Sequence, residues 1–142
     1  MKKDDCIFCK IANGEIGSDT VYEDDMFRAI LDLSPASKGH ILILPKEHYD
    51  DLFELSDECG ERLMATAKKV ALAAKKALHA DGINLVQNNG EAAGQTVRHF
   101  HMHIIPRYES DDKTMVAWTP HDSDPEEQKQ IASAILKEIK EL

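Results

Sequence analysis

Residues 98–107 read RHFHMHIIPR, with His99, His101 and His103 at every second position of a short apolar run. Successive side chains of a strand point to opposite faces. The three imidazoles are therefore expected on one face, with Phe100, Met102 and Ile104 on the other. Such a strand belongs to a sheet with one dry face, packed on a helix, and one working face. A merely exposed strand mixes Thr, Lys and Glu rather than repeating imidazole.

The flanking sequence supplies the rest of that sheet. HILILP (His40–Pro45), a continuous β-branched and leucine run closed by proline, reads as a buried central strand. TVYED and FRAILDL read as strands about a turn at Asp24–Asp25, and INLVQ as a further strand. Ser56 opens a helix in which Leu63, Ala67, Val70, Ala71, Ala74 and Leu78 recur at three and four, leaving Lys68, Lys69, Lys75 and Lys76 to water. Asp81–Gly82 is expected to stop it. A last helix starts at Asp124–Pro125, with Glu127 three residues after the N-cap and Ile131, Ile135 and Ile139 on its apolar face. The expected class is α+β: an antiparallel sheet of about five strands, one long helix packed on it, and a C-terminal helix. One domain is expected over residues 1–142, with a core at about 5–108 and a tail and helix at 109–142.

An apolar share of 42% and a charged share of 30% are those of an ordinary soluble globular protein. The longest apolar run, Val70–Ala74, is far below the roughly 20 residues of a membrane span. MKKDDCIFCK has no apolar stretch behind its lysines, so no secretory signal is read there. Three cysteines without an export signal point to a reducing cytoplasm. A net charge of −9 argues against nucleic acid as partner but leaves room for a small anion. The acidic pairs Asp4–Asp5, Asp24–Asp25, Asp50–Asp51 and Asp111–Asp112 read as solvated loop charge.

What the imidazoles do is narrowed by geometry. With a rise of about 3.3 Å per residue, His99 and His103 are roughly 13 Å apart along the backbone. Zinc needs each nitrogen at about 2.0–2.1 Å. The outer two therefore cannot share one ion without bending the strand. Chemistry is the other use: neutral imidazole is a good nucleophile, and a neighbouring imidazole can carry the leaving group's proton or stabilise a phosphoryl oxygen. The loop NNGEAAGQT, residues 88–96, suits an anion. Gly90 and Gly94 let backbone N–H groups come close, and Asn88, Gln95 and Thr96 can donate from their side chains. Upstream, Cys6-Ile-Phe-Cys9 has the spacing of a metal half-site. A redox pair is the other reading of that spacing, and Cys59 reads as a plain helix or core residue.

GQTVRHFHMHIIPR resembles the signature of the histidine triad family of nucleotide hydrolases and transferases. LDLSPASKGHILILPKEH is similar to that family's nucleoside-pocket segment, and CIFCKIANGEI resembles the opening of its zinc-carrying members. The likeness runs from Cys6 to about Trp118. It implies that His101 attacks the α-phosphorus and forms a nucleotidyl-histidine, its Nδ1–H held by a backbone carbonyl. It also implies that His103 binds the phosphate, that His40 is the distal histidine, and that Asp32 binds ribose hydroxyls. Asn88, Gly94, Gln95 and Thr96 fall on the phosphate and leaving-group contacts. Zinc-bearing members take two further ligands from the positions of His48 and His99, which implies a structural zinc on Cys6, Cys9, His48 and His99. A purine nucleotide substrate and a homodimer follow from the same resemblance, and the short apolar runs imply no membrane partner. The expected reaction is cleavage of nucleoside 5′-phosphoramidates. Hydrolysis of dinucleoside polyphosphates is the alternative within the family, a choice tuned by the tail around Trp118 and His121. Two further rivals are a zinc-stabilised nucleotide-binding scaffold and a metal-dependent hydrolase using His101 and His103.

Overall fold

The computed structural model describes residues 1–111 and 118–142. They fall into two compact units, one ending at Asp111 and one holding the C-terminal helix. In the first, a five-stranded antiparallel sheet has the order β1-β2-β3-β5-β4. Its strands are β1 (Thr20–Glu23), β2 (Phe27–Leu31), β3 (Ile41–Pro45), β4 (Gly82–Gln87) and β5 (Met102–Arg107). The α+β class read from the sequence is the class observed.

The apolar run of β3 makes it the centre: all five of its residues are buried. Ile41 and Ile43 point to one face and join Phe27, Ala29, Phe100 and Ile104 against Leu63, Ala67 and Val70 of α2 (Asp57–Leu78). Leu42 and Leu44 point to the other and meet Phe8, Ile11 and Ala12 of α1 (Ile7–Ala12). Two-residue alternation thus gives each face its own cluster. The Ser56 hydroxyl caps α2 by accepting the Cys59 N–H at 3.2 Å, as its position predicts.

Two expectations need correction, and one helix had no sequence reading. First, α2 ends before Asp81–Gly82: His79 takes the left-handed conformation at φ 53° and Gly82 already belongs to β4. Histidine is one of the few non-glycine residues enriched there. Secondly, β5 begins at Met102, so His99 and His101 precede the ladder. The Phe100 N–H goes to the Tyr49 carbonyl at 2.7 Å, and the His99 carbonyl is taken by a side chain, so this stretch is satisfied without sheet pairing. Facial alternation survives even so, because Phe100, Met102 and Ile104 all pack on the α2 side. The CIFCKIA stretch is helical, with Cys6 as N-cap accepting the Cys9 N–H at 3.2 Å.

Within the acidic pairs, Asp24 and Asp111 are not plain solvated charge. Asp24 closes the β1–β2 turn by accepting the N–H groups of Met26 and Phe27 at 2.8 Å each. Asp111 accepts from Arg107 Nε at 3.2 Å and from the Tyr108 N–H at 2.9 Å, while its neighbour Asp112 lies outside the described residues. In the second unit α3 (Pro125–Glu141) starts where expected, with Asp124 Oδ2 accepting the Glu127 N–H at 3.2 Å. No helix among the described residues is long and apolar enough to cross a membrane.

Candidate functional site

Seen from the β3 centre, the site lies on the α1 side of the sheet. His101 is buried, and its Nδ1 is 2.7 Å from the His99 carbonyl oxygen. A carbonyl only accepts, so Nδ1 carries the proton and Nε2 keeps its lone pair. The Phe8 ring stands edge-on to His101 with centroids 5.1 Å apart, and fixes the imidazole from the α1 side.

The same logic orders its neighbours. The Ala36 backbone N–H donates to His40 Nδ1 at 2.9 Å, so the proton of neutral His40 is on Nε2. That Nε2–H donates to His103 Nδ1 at 2.9 Å, which leaves the proton of His103 on its own Nε2. The His101 and His103 rings meet edge-on with centroids 5.0 Å apart. Thus, among the described residues, a free lone pair and a free N–H stand side by side. Burial pushes all three imidazoles below their ordinary value. For His103, burial together with His101 and His40 brings it to about 4. The Asp32 carboxylate lies 3.7 Å from His40 Nε2 and also accepts the Ser34 N–H at 2.8 Å.

Among the described residues two side-chain clusters have ligand atoms close enough to hold a metal, and the tautomers separate them. In the first, Cys6 Sγ is 3.3 Å from His99 Nδ1, Cys9 Sγ is 3.3 Å from His48 Nδ1, and Cys9 Sγ is 3.5 Å from His99 Nδ1. Tetrahedral zinc with the usual bond lengths sets N and S ligands about 3.6 Å apart. His99 Nε2 donates to the Pro45 carbonyl at 3.0 Å and His48 Nε2 to Asp50 Oδ1 at 2.7 Å. Both Nδ1 lone pairs therefore face the thiols, with the outer nitrogens held as metal-ligating histidines usually are. This donor set fits zinc. In the second cluster, Asp32, His40 and His103, the proton on His40 Nε2 occupies the position a metal would need. That cluster is a hydrogen-bond relay.

Loop 88–96 carries the remaining residues. Gly90 at φ 88° and Gly94 at φ 94° hold conformations that L residues rarely adopt. Gln95 is buried and its amide is fully engaged: Oε1 accepts the Gly90 N–H, while Nε2 donates to the Asp50 and Val97 carbonyls. Its observed contacts are thus those of a loop staple. Thr96 is exposed, and Asn88 faces Gly94 across the loop. Gly94→Ala is expected to lower stability by about 1–2 kcal/mol from the left-handed strain. No clash contributes, since the nearest atom, Asn88 Nδ2, would lie 3.8 Å from the new Cβ. An unchanged urea midpoint would contradict that value.

Phe8 and Asp50 were missed as site residues. For Phe8 a signal existed, an aromatic between two metal-spaced cysteines. For Asp50 the signal was its place two residues after His48.

A sheet of this order, carrying tautomer-locked imidazoles beside a Cys₂His₂ cluster, defines a histidine-triad architecture. The chain belongs to the HIT family: the HIT domain model matches residues 13–110. It is 43% identical over 138 residues to the Bacillus subtilis protein hit, covering 96% of this chain and 95% of that one. It is 41% identical over 135 residues to an adenosine 5′-monophosphoramidase, hnt1, of Schizosaccharomyces pombe, covering 95% and 98%. Among solved structures, SMU.412c of Streptococcus mutans superposes with a TM-score of 0.91 at 44% identity over 96% of this chain and 87% of that one. A zinc-bound histidine triad protein of Mycobacterium smegmatis gives 0.73 at 37% identity over 96% of each.

Proposed function

We propose that this protein hydrolyses nucleoside 5′-phosphoramidates, with a purine nucleotide as substrate, through a covalent nucleotidyl-His101. The observation that carries the reading is the free Nε2 lone pair of His101, locked by the His99 carbonyl beside the outward N–H of His103. An anionic phosphoryl group docked there would accept the His103 Nε2–H. In the first step His101 Nε2 bonds to the α-phosphorus and the P–N bond breaks. The amine departs with a proton taken from solvent water. In the second step water attacks phosphorus, the bond to Nε2 breaks, and the proton released by water passes to solvent. The products are a nucleoside monophosphate and an amine.

Asp32 would hold the ribose, and Asn88, Gly94 and Thr96 would face the phosphate, with Gln95 keeping the loop in shape. Cys6, Cys9, His48 and His99 would hold zinc, which supplies a closed structural crosslink and no open coordination position. The active form would be a homodimer in the cytoplasm. The S. pombe relative's name supports the substrate class.

The test is release of AMP from adenosine 5′-phosphoramidate by the purified protein. Turnover is expected. Turnover confined to dinucleoside polyphosphates would move the substrate class, and none on either would leave a nucleotide-binding scaffold.

A further inference from the structure

Asp50 belongs to no part of the chemistry above, yet more of the site converges on it than on any single loop residue. Its Oδ1 accepts the His48 Nε2–H at 2.7 Å. Lys3 Nζ approaches the same oxygen at 3.4 Å and Arg98 Nη2 approaches Oδ2 at 3.5 Å. The Asp50 backbone is itself fixed at both ends: its N–H donates to Glu54 Oε2 at 2.9 Å and its carbonyl accepts the buried Gln95 amide at 2.7 Å. A carboxylate held in this way is set before any ligand arrives. His48 has one nitrogen on this carboxylate and the other 3.3 Å from Cys9 Sγ.

We propose that Asp50 is the positioning residue of the metal centre, fixing the tautomer and ring orientation of His48 so that Nδ1 meets the ion. The inference rests on the zinc reading above. A carboxylate on the outer nitrogen also makes the imidazole a stronger ligand, and loss of such partners typically weakens metal binding about 10–100-fold. The Lys3 and Arg98 pairs are largely exposed and balance its charge. Exposed pairs of that kind contribute little.

The test measures zinc affinity by competition with a chromogenic chelator for the full-length protein and its Asp50→Ala, Asp50→Asn and Arg98→Ala variants. Asp50→Ala is expected to weaken zinc about 10–100-fold. Asp50→Asn, which keeps an acceptor oxygen for the His48 N–H but not the charge, should lose less affinity than Asp50→Ala, and Arg98→Ala should leave the affinity unchanged. At saturating zinc, kcat and KM of Asp50→Ala on adenosine 5′-phosphoramidate should match the wild type. Wild-type affinity in Asp50→Ala would overturn the proposal, as would a raised KM at full zinc occupancy, which would place Asp50 on the substrate. Failure of the wild type to bind zinc would instead overturn the zinc reading itself. Circular dichroism of each zinc-loaded variant confirms that it is folded.

Discussion

His101→Asn is expected to abolish turnover, lowering kcat/KM on adenosine 5′-phosphoramidate by roughly 10⁴-fold or more, about 5 kcal/mol of transition-state stabilisation. The size follows from the role: the substitution removes the only group proposed to bond to phosphorus. Asparagine is the informative replacement because its amide N–H can still donate to the His99 carbonyl, which holds Nδ1–H at 2.7 Å in the native protein. It also leaves a polar group of similar reach beneath Phe8, so the α1 packing survives. Thermal midpoint and zinc content should therefore stay near wild type while rate disappears. Comparable turnover in the variant would remove His101 from the nucleophile's position. A folded variant retaining about a tenth of the rate would make it an aid to another group.

The second large effect is on stability. Stripping metal with a chelator is expected to lower the thermal midpoint by roughly 10 °C or more, since structural zinc contributes folding free energy and about 1 kcal/mol shifts a domain of this size by several degrees. Cys6 and Cys9 sit at the start of α1, His48 just beyond β3 and His99 before β5, so the ion would join segments distant in sequence. In the proposed mechanism the chemistry does not pass through the ion. Turnover at a temperature well below the lowered midpoint should therefore persist, falling only along the unfolding transition. Immediate loss of activity with an unchanged midpoint would support a metal-dependent hydrolase. An unchanged midpoint with unchanged activity would mean that the thiol–imidazole cluster needs no ion.

The sequence made the sheet legible because its strands carry strong patterns. HILILP is too apolar to be anything but central, and all of β3 is buried. The helix from Ser56 is long and periodic enough to show its cap and its buried stripe. What escaped was short or set by tertiary partners. The six residues of α1 hold too little periodicity to declare a helix, and its cap is a cysteine, which propensity does not favour. The start of β5 depended on where the Phe100 N–H and the His99 carbonyl find partners, namely Tyr49 and the His101 ring. Neither partner can be seen from a two-residue pattern. For the same reason the alternation placed the faces correctly while the strand boundary was misplaced.

At the site, spacing alone indicated that His99 and His103 could not share an ion. The structure puts His99 with the cysteines and His103 on His40. The relay from Ala36 through His40 to His103 lay beyond sequence reading, because a tautomer is set by one backbone N–H folded back from four residues away. Gln95 shows the opposite case. Its residue type suggested a phosphate donor, and only the folded loop reveals that all of its observed hydrogen bonds go to backbone. Asp50 passed for solvated charge because its partners come from Lys3, His48, Gln95 and Arg98 together.

The proposed chemistry requires a covalent bond to one nitrogen, His101 Nε2. The direct measurement is intact-mass analysis of the enzyme, rapidly quenched during turnover of adenosine 5′-phosphoramidate, followed by peptide mapping of any adduct. A mass increase of one adenylyl group, placed on His101 and absent from His101→Asn, is the predicted result. Turnover at full rate with no adduct at any quench time, or an adduct mapped to another residue, would contradict it.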